Sequence, residues 1–464
     1  MVRPAGTTTR RATLPRAAAF WLVAVAWFLL LFAAAAPSPL YRVYQAQWRF
    51  SAITLTAVFG VYALGLLIAL LIFGPVSDYL GRRRVISVAL VGGAGACGLF
   101  LTANGVASLF AARALSGVAV GIAAGAAGAA LIDLQPEGTE RGPVVTSAAN
   151  LLGLAAGGLG TSALVQYGPA PTHLVWCLLL CAFVVAAMAV LAIPETAAER
   201  PGVLASLRPR MTVPRQARGT FTVALPCMVA SPALAGFYLS LGPSLAVQVL
   251  RSQDLLWGGL VVFMVTGSGA AAIIALRGVS ASLAMLVGCL ILFAGAVITL
   301  AAIEAGSAAA FLAGTAVAGT GFGTGFFLGA FRILIRLADP GHRAGLIATI
   351  WIVFFAAFSL PVVIAGVATT HFGLHQTAVV YSAALAVLAA AAAGSLVFRQ
   401  PTREPRSSSC ACPHGRNLPG AVSHRIPVQP GSLQSRGGSS QNKSCEGTLK
   451  TTHHDGGRHH GHLR

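Results

Sequence analysis

The stretch Gly74–Arg84, G-P-V-S-D-Y-L-G-R-R-R, lies between two apolar runs, Leu55–Phe73 and Val85–Leu101. It places one carboxylate, Asp78, just ahead of three consecutive arginines, Arg82–Arg84. A carboxylate at a helix end can accept hydrogen bonds from helix N-termini and from arginines of a neighbouring bundle. The simpler alternative is a topology signal whose arginines are solvated or face anionic headgroups. Arg113 is the second notable charge, because it stands inside the apolar stretch 107–133. Counted from Ala107 it lies about 9 Å along a helix. An ionisable group at that depth is costly and marks a functional position; the alternative is snorkelling to the headgroups. Asp133, at the other end of the same stretch, is the best-placed acid for handling a proton, with a helix-end cap as the equal alternative. No carboxylate falls near the middle of an apolar run: Asp78, Asp133, Glu195, Asp254 and Glu304 all sit near ends.

Composition says what must hold these residues. The chain has 464 residues, 56% of them apolar and only 9% charged, with a mean hydropathy of +0.78. Soluble domains carry roughly 25% charged residues, so the class is a polytopic helical membrane protein. The formal net charge of +19 does not point to nucleic acid, because ten basic residues lie in the tail beyond Phe398 and the rest fall mostly in alternate loops. Five of the eight cysteines, Cys97, Cys177, Cys181, Cys227 and Cys289, lie on apolar segments. There they act as small hydrophobes rather than as a disulfide framework. The apolar run from Ala17 to Ala36 exceeds a signal-peptide core of roughly 7–15 residues, so it reads as a retained first helix.

A spanning helix needs about 20 apolar residues. Twelve segments qualify: 17–38, 51–73, 85–103, 107–133, 143–166, 173–193, 220–245, 254–276, 281–303, 307–335, 344–368 and 374–397. Domains follow: a cytoplasmic segment 1–16, a six-helix bundle 17–194, a linker 195–219, a second bundle 220–398 and a disordered tail 399–464. With the N-terminus inside, seventeen arginines fall on the inner side and three, Arg42, Arg49 and Arg251, on the outer side. The positive-inside rule then puts both termini in the cytoplasm. A shift of about 204 residues lays Phe59, Val61, Gly65 and Gly74 over Phe263, Val265, Gly269 and Gly278, and Pro37-Ser38 meets Pro243-Ser244 at 206. The fold class expected is all-α, twelve helices in two six-helix bundles related by pseudo-two-fold symmetry, with a ligand site between them near mid-depth.

The turn Gly74–Arg84 resembles the loop between helices two and three of the major facilitator superfamily, roughly G-x-L-A-D-R-x-G-R-R. Gly74, Asp78, Gly81, Arg82 and Arg83 fall on matching positions; Val76 and Tyr79 depart from the pattern. The stretch L-F-A-A-R-A-L-S-G around Arg113 is similar to that family's fourth-helix pattern L-x-x-x-R-x-x-Q-G, with Ser116 at the usual Gln. The fifth helix, with Gly153, Gly157, Gly158 and Gly160, matches the antiporter pattern imperfectly, since no Pro follows Gly157. The resemblance implies a secondary carrier that rocks two bundles about a central site. It also implies a gate at Asp78, with Arg113 and Asp133 as proton-coupling candidates.

Cavity candidates on the lining helices are Tyr62, Asn150, Phe237, Tyr238 and Trp351, each with ordinary packing as the alternative. A wall this apolar suits hydrophobic or amphiphilic solutes. The glycine string Gly319–Gly325 is not a dinucleotide loop, because that fingerprint requires a preceding strand. No Walker-type G-K-[ST] occurs, and no His or Cys spacing matches a zinc site, so neither cofactor nor metal is expected. The function expected is export of a small, hydrophobic organic solute across the plasma membrane by a monomer, with protons as the coupling ion. Uptake of a small organic metabolite is the alternative, and a non-transporting membrane sensor is a third reading. Enzyme activity is not expected, for want of any paired acids or Ser-His set within the spans.

Overall fold

Alanine- and leucine-rich apolar runs bury every backbone polar group within a helix, which is what a bilayer demands. The computed structural model describes residues 14–139, 141–197, 213–252, 254–337 and 343–398 and is all-helical over them. The tail 399–464, the middle of the 195–219 linker and the turn at Pro340 lie outside the described residues. Among the described residues, ten helices are long and apolar enough to cross a membrane. One of these, Arg343–Phe398, is two spans joined at Gly373, whose φ of 79° and ψ of 163° are not helical. The apolar helix Leu174–Val190 adds another, giving twelve in all.

The spans, in chain order, are Arg16–Trp48, Ala52–Phe73, Arg82–Leu101, Val106–Leu134, Arg141–Tyr167 and Leu174–Val190. The second half holds Arg215–Ser240, Leu255–Ala275, Ala281–Ala305, Ala308–Arg336, 343–372 and 374–398. Large apolar side chains stay exposed along them, among them Trp21, Val91, Val185, Leu360 and Val387. A belt of this kind is stable only against lipid.

The repeat seen in the sequence is built into the backbone. The first span continues past Ala36 as Pro37–Trp48, and the seventh continues as Gly242–Leu250; each extension has Pro in its first turn. Both extensions stop at a left-handed arginine, Arg49 with φ 52° and Arg251 with φ 51°. The next span starts from a side-chain cap in both halves: Ser51 accepts from the Thr54 N–H, and Asp254 from the Leu256 N–H. A close helix crossing recurs as well. A Cβ on Gly65 would stand 2.9 Å from the Ala114 carbonyl oxygen, and one on Gly269 would stand 2.9 Å from that of Gly319. Small residues at such crossings let two backbones approach without lipid-excluding side chains between them.

Two ends of the bundle can be told apart. The loop end carries Gly74–Arg84, and the far end carries the extensions Pro37–Trp48 and Gly242–Leu250. The two halves meet along the fifth and eighth spans and along the second and eleventh. At the far end Gln166 accepts from the Leu255 N–H at 3.3 Å, and Gly366 packs on Thr56. Toward mid-depth Gly158 packs on Val262, Gly60 on Val363 and Leu151 on Gly269. Phe59 faces Phe358 with ring centroids 5.2 Å apart. The loop-end turns Gly74–Val76 and Ser77–Leu80, by contrast, pack on spans of their own half.

Candidate functional site

At the loop end the chain turns at Gly81, whose φ of 92° suits a residue without a Cβ. The third span then begins with Arg82, leaving its first N–H groups without intrahelical acceptors. Glu195, just past the sixth span, supplies one. Its Oε1 accepts from the Arg82 N–H at 2.7 Å and lies 3.5 Å from that of Arg83. A Cβ on Gly81 would stand 2.8 Å from the Glu195 carboxyl carbon, so the turn and the acid fit each other. Arg83 completes the tie by donating from Nη1 to the carbonyls of Leu191 and Ile193, each at 3.4 Å. Loss of a capping side chain costs about 0.5–2 kcal/mol. Glu195→Ala is therefore expected to speed backbone hydrogen exchange at residues 82–84 while the twelve spans stay protected; unchanged exchange there would remove the cap from the account.

Arg82 is the hub of this end. Its Nε lies 2.6 Å from an Asp133 carboxylate oxygen, and its Nη2 lies 3.5 Å from that of Asp78. The Nε–H makes no aligned hydrogen bond, so the Asp133 contact is a pairing of charge. Arg16 donates to the Asp133 backbone carbonyl at 2.6 Å. The Asp78 side chain is 61% exposed against 32% for Asp133, and exposed pairs contribute little, about 0–1 kcal/mol. Sequence spacing singled out Asp78, whereas the nearer partner comes from the end of the fourth span. Gly74, Asp78, Gly81, Arg82, Arg83 and Asp133 thus gather at one end of one half.

Arg113 lies elsewhere. It is 1% exposed, which rules out snorkelling in this conformer. Its Nη1 donates to the Ala34 carbonyl at 2.8 Å, and its guanidinium sits over the Tyr62 ring at 4.2 Å and near the Phe59 ring at 5.9 Å. Cation–π contacts of this kind offset part of the cost of burying the charge. Arg113 and Asp133, both proton-coupling candidates, stand about 30 Å apart along one helix and are not brought together.

The cavity candidates also separate. Tyr62 joins Arg113. Asn150 is half-buried on the fifth span, and Trp351 is half-buried on the eleventh. Phe237 and Tyr238 point into their own half: Phe237 stacks on Tyr381 at 4.6 Å, and the Tyr238 and Thr299 hydroxyls meet at 2.7 Å. Sequence reasoning missed the wall that Trp351 belongs to. The tenth span widens into a π-helix over Gly323–Phe331. Phe326 of that segment packs on Phe354 at 4.6 Å, and Trp351 packs on Phe354 at 5.2 Å and Phe355 at 5.6 Å. The signal was present in the sequence: Phe354 and Phe358 lie four residues apart, as do Phe322 and Phe326, and side chains at that spacing share a helix face.

Two repeated six-helix halves, a charge-tied turn after the second span and a buried arginine on the fourth define a two-bundle membrane carrier. The description of the Major Facilitator Superfamily matches residues 17–284, more than half of the chain, and the chain belongs to that family. It is a secondary transporter rather than an enzyme. Among solved structures it is similar to the nucleoside transporter NupG, with a TM-score of 0.62 and 12% identity over 81% of this chain and 99% of that one. It is also similar to the human organic anion transporter MFSD10 (TETRAN), with a TM-score of 0.55 and 17% identity over 82% and 100%. At these identities the likeness is one of fold. Comparison with curated proteins by sequence finds no match.

Proposed function

We propose that the protein exports a small, apolar or amphiphilic organic solute by alternating access, and that this conformer is closed at the far end and receives solute from the loop end. One observation carries the reading. The two halves meet from the far end to mid-depth, while the turn holding Asp78, Arg82 and Asp133 packs within its own half. In the opposite conformer the loop ends approach each other, and Arg82 with its two acids faces the second half. The gate is then an arginine shared by Asp133 and Asp78, instead of one acid acting alone. The arginine excess supports a loop end and both termini on the cytoplasmic side of a plasma-membrane protein.

The aromatic wall around Trp351 and the scarcity of polar side chains along the seam support a hydrophobic cargo. The distance between Arg113 and Asp133, and the lack of an interior carboxylate among the described residues, argue against a direct proton relay between them. Flux is therefore expected to follow the solute gradient. Uptake is the second reading, supported by the missing Pro after Gly157 in the fifth span.

Purified protein in liposomes, offered a panel of apolar and amphiphilic solutes on one side at a time, tests this directly. Saturable movement down the gradient of a solute loaded at the loop end, unchanged by an imposed pH gradient, supports the reading. Binding without movement of any solute contradicts it. In the same assay Asp133→Asn is expected to slow flux more than Asp78→Asn, because Asp133 is the closer partner of Arg82; the reverse order would return the gate to Asp78.

A further inference from the structure

Arg113 is a buried cation without a counter-ion. Among the described residues no carboxylate lies within ion-pairing distance of it, and its Nε–H is buried with no hydrogen-bond partner. The Tyr41 hydroxyl, on the extension of the first span, is also buried without a partner. It lies beside Arg113, within reach of its charge and its N–H groups, yet the hydroxyl has no well-aligned hydrogen-bond partner. A charge and a hydroxyl held this way are costly to bury unless something pairs with them. The Ala34 carbonyl occupies Nη1, which leaves the Nε edge of the guanidinium. That edge is one that a carboxylate can engage bidentately.

The surroundings say what such a carboxylate is attached to. Tyr62 and Phe59 cover the guanidinium faces, and Phe59 meets Phe358 of the other half. Phe358 continues through Phe354 toward Trp351. A cation therefore sits at one end of an aromatic path that crosses the seam between halves.

We infer that Arg113, with Tyr41, is the binding point for the carboxylate of an aromatic monoanion whose ring lies along Phe59, Phe358 and Trp351. This deepens the carrier reading and rests on it. A cationic amphiphile is disfavoured by the same charge, which no acid among the described residues offsets. The physics also bears on direction. An anion leaving a cell whose interior is negative is driven outward by about 50-fold per 100 mV, so export of this class needs no proton. Phe59, one of the two covering rings, meets Phe358 of the opposite half, so rocking at the seam would uncover or bury the anion site as the halves move.

The test uses the purified full chain in lipid nanodiscs and three probes of one shape: 1-naphthoate, 1-naphthamide and 1-naphthylmethylammonium. Titration calorimetry should show naphthoate binding at least about tenfold tighter than the amide, a difference of about 1.4 kcal/mol, with the ammonium weakest. Arg113→Gln should abolish the preference for naphthoate and leave amide affinity unchanged. Tyr41→Phe should lower naphthoate affinity alone. If Arg113→Gln does not fold, Arg113→Lys keeps the charge without the fork, and naphthoate should still lose most of its advantage. Equal affinity for naphthoate and amide in the unaltered protein overturns the proposal, as does no saturable naphthoate binding, or a preference that survives at position 113. Failure of the carrier reading would show separately, as end-to-end distances that do not change, measured without any probe.

Discussion

Gly366→Val is expected to hold the far end of the bundle apart and to cut transport by more than tenfold while leaving the protein folded. A Cβ at Gly366 would land on the Thr56 hydroxyl and stand 2.8 Å from Thr56 Cβ, nearer than real atoms pack. Thr56 cannot swing aside cheaply, because it is fully buried and its hydroxyl donates to the carbonyls of Ala52 and Ile53 at 3.2 and 3.0 Å. The clash lies between the two halves and leaves each half intact, so the conformer closed at this end is penalised and the alternative is not. Overpacking typically costs about 1–3 kcal/mol, which moves a two-state equilibrium by about 5-fold to more than 100-fold. The origin of the effect can be checked by compensation: Gly366→Ala should be partly rescued by Thr56→Ala, because neighbours in contact couple. Near-normal flux in Gly366→Val, or no rescue in the double variant, would place the closing seam elsewhere.

Gly117→Val should have the opposite character, a loss of folded protein with no bias between conformers. Its Cβ would overlap the Tyr62 carbonyl and stand 3.0 Å from the Leu66 nitrogen. These are backbone atoms of the second span within the same half, and no rotamer change relieves them. The second and fourth spans would have to separate, taking Tyr62 away from Arg113. A cost of about 1–3 kcal/mol or more should appear as a lower unfolding temperature in detergent and poor recovery of monodisperse protein. Gly98→Val is the matched control, since a Cβ there meets nothing within 4 Å, and its thermal stability should stay close to that of the unaltered protein. Equal damage at both positions would mean that glycine content, and not the crossing, sets stability.

The spans were legible because a bilayer imposes a length of apolar chain that a sequence cannot disguise. The repeat was legible because its markers, Pro37 with Pro243 and Gly65 with Gly269, sit where two helices start or cross and tolerate few replacements. The extensions to Trp48 and Leu250 were underestimated, because their polar residues end the hydropathic run before the helix itself ends at Arg49 and Arg251. The candidate site was legible only in part. Arg113 announces itself as a charge inside a span, but its acceptor Ala34 is 79 residues away and could not be named from spacing. Asp78 drew attention through its place ahead of Arg82, yet Asp133 and Glu195 reach the same turn from the ends of other spans. Their common side was readable from topology; their distances were not. Phe237 and Tyr238 show the remaining gap, since an aromatic residue on a lining helix reaches the cavity only if its helical phase points there.

Alternating access requires two halves that close at one end as they open at the other. Spin labels report both ends in one protein, with Cys177, Cys181 and the three tail cysteines replaced by serine. One pair, Ile53→Cys with Phe372→Cys, spans the second and eleventh spans at the far end. The other, Leu80→Cys with Gly278→Cys, spans the two halves at the loop end. Pulsed electron–electron distances in nanodiscs should show a short far-end separation accompanied by a long loop-end one, and Gly366→Val should lengthen the first while shortening the second. Distances that change together, or a loop-end separation that is indifferent to Gly366→Val, would contradict alternating access in this protein.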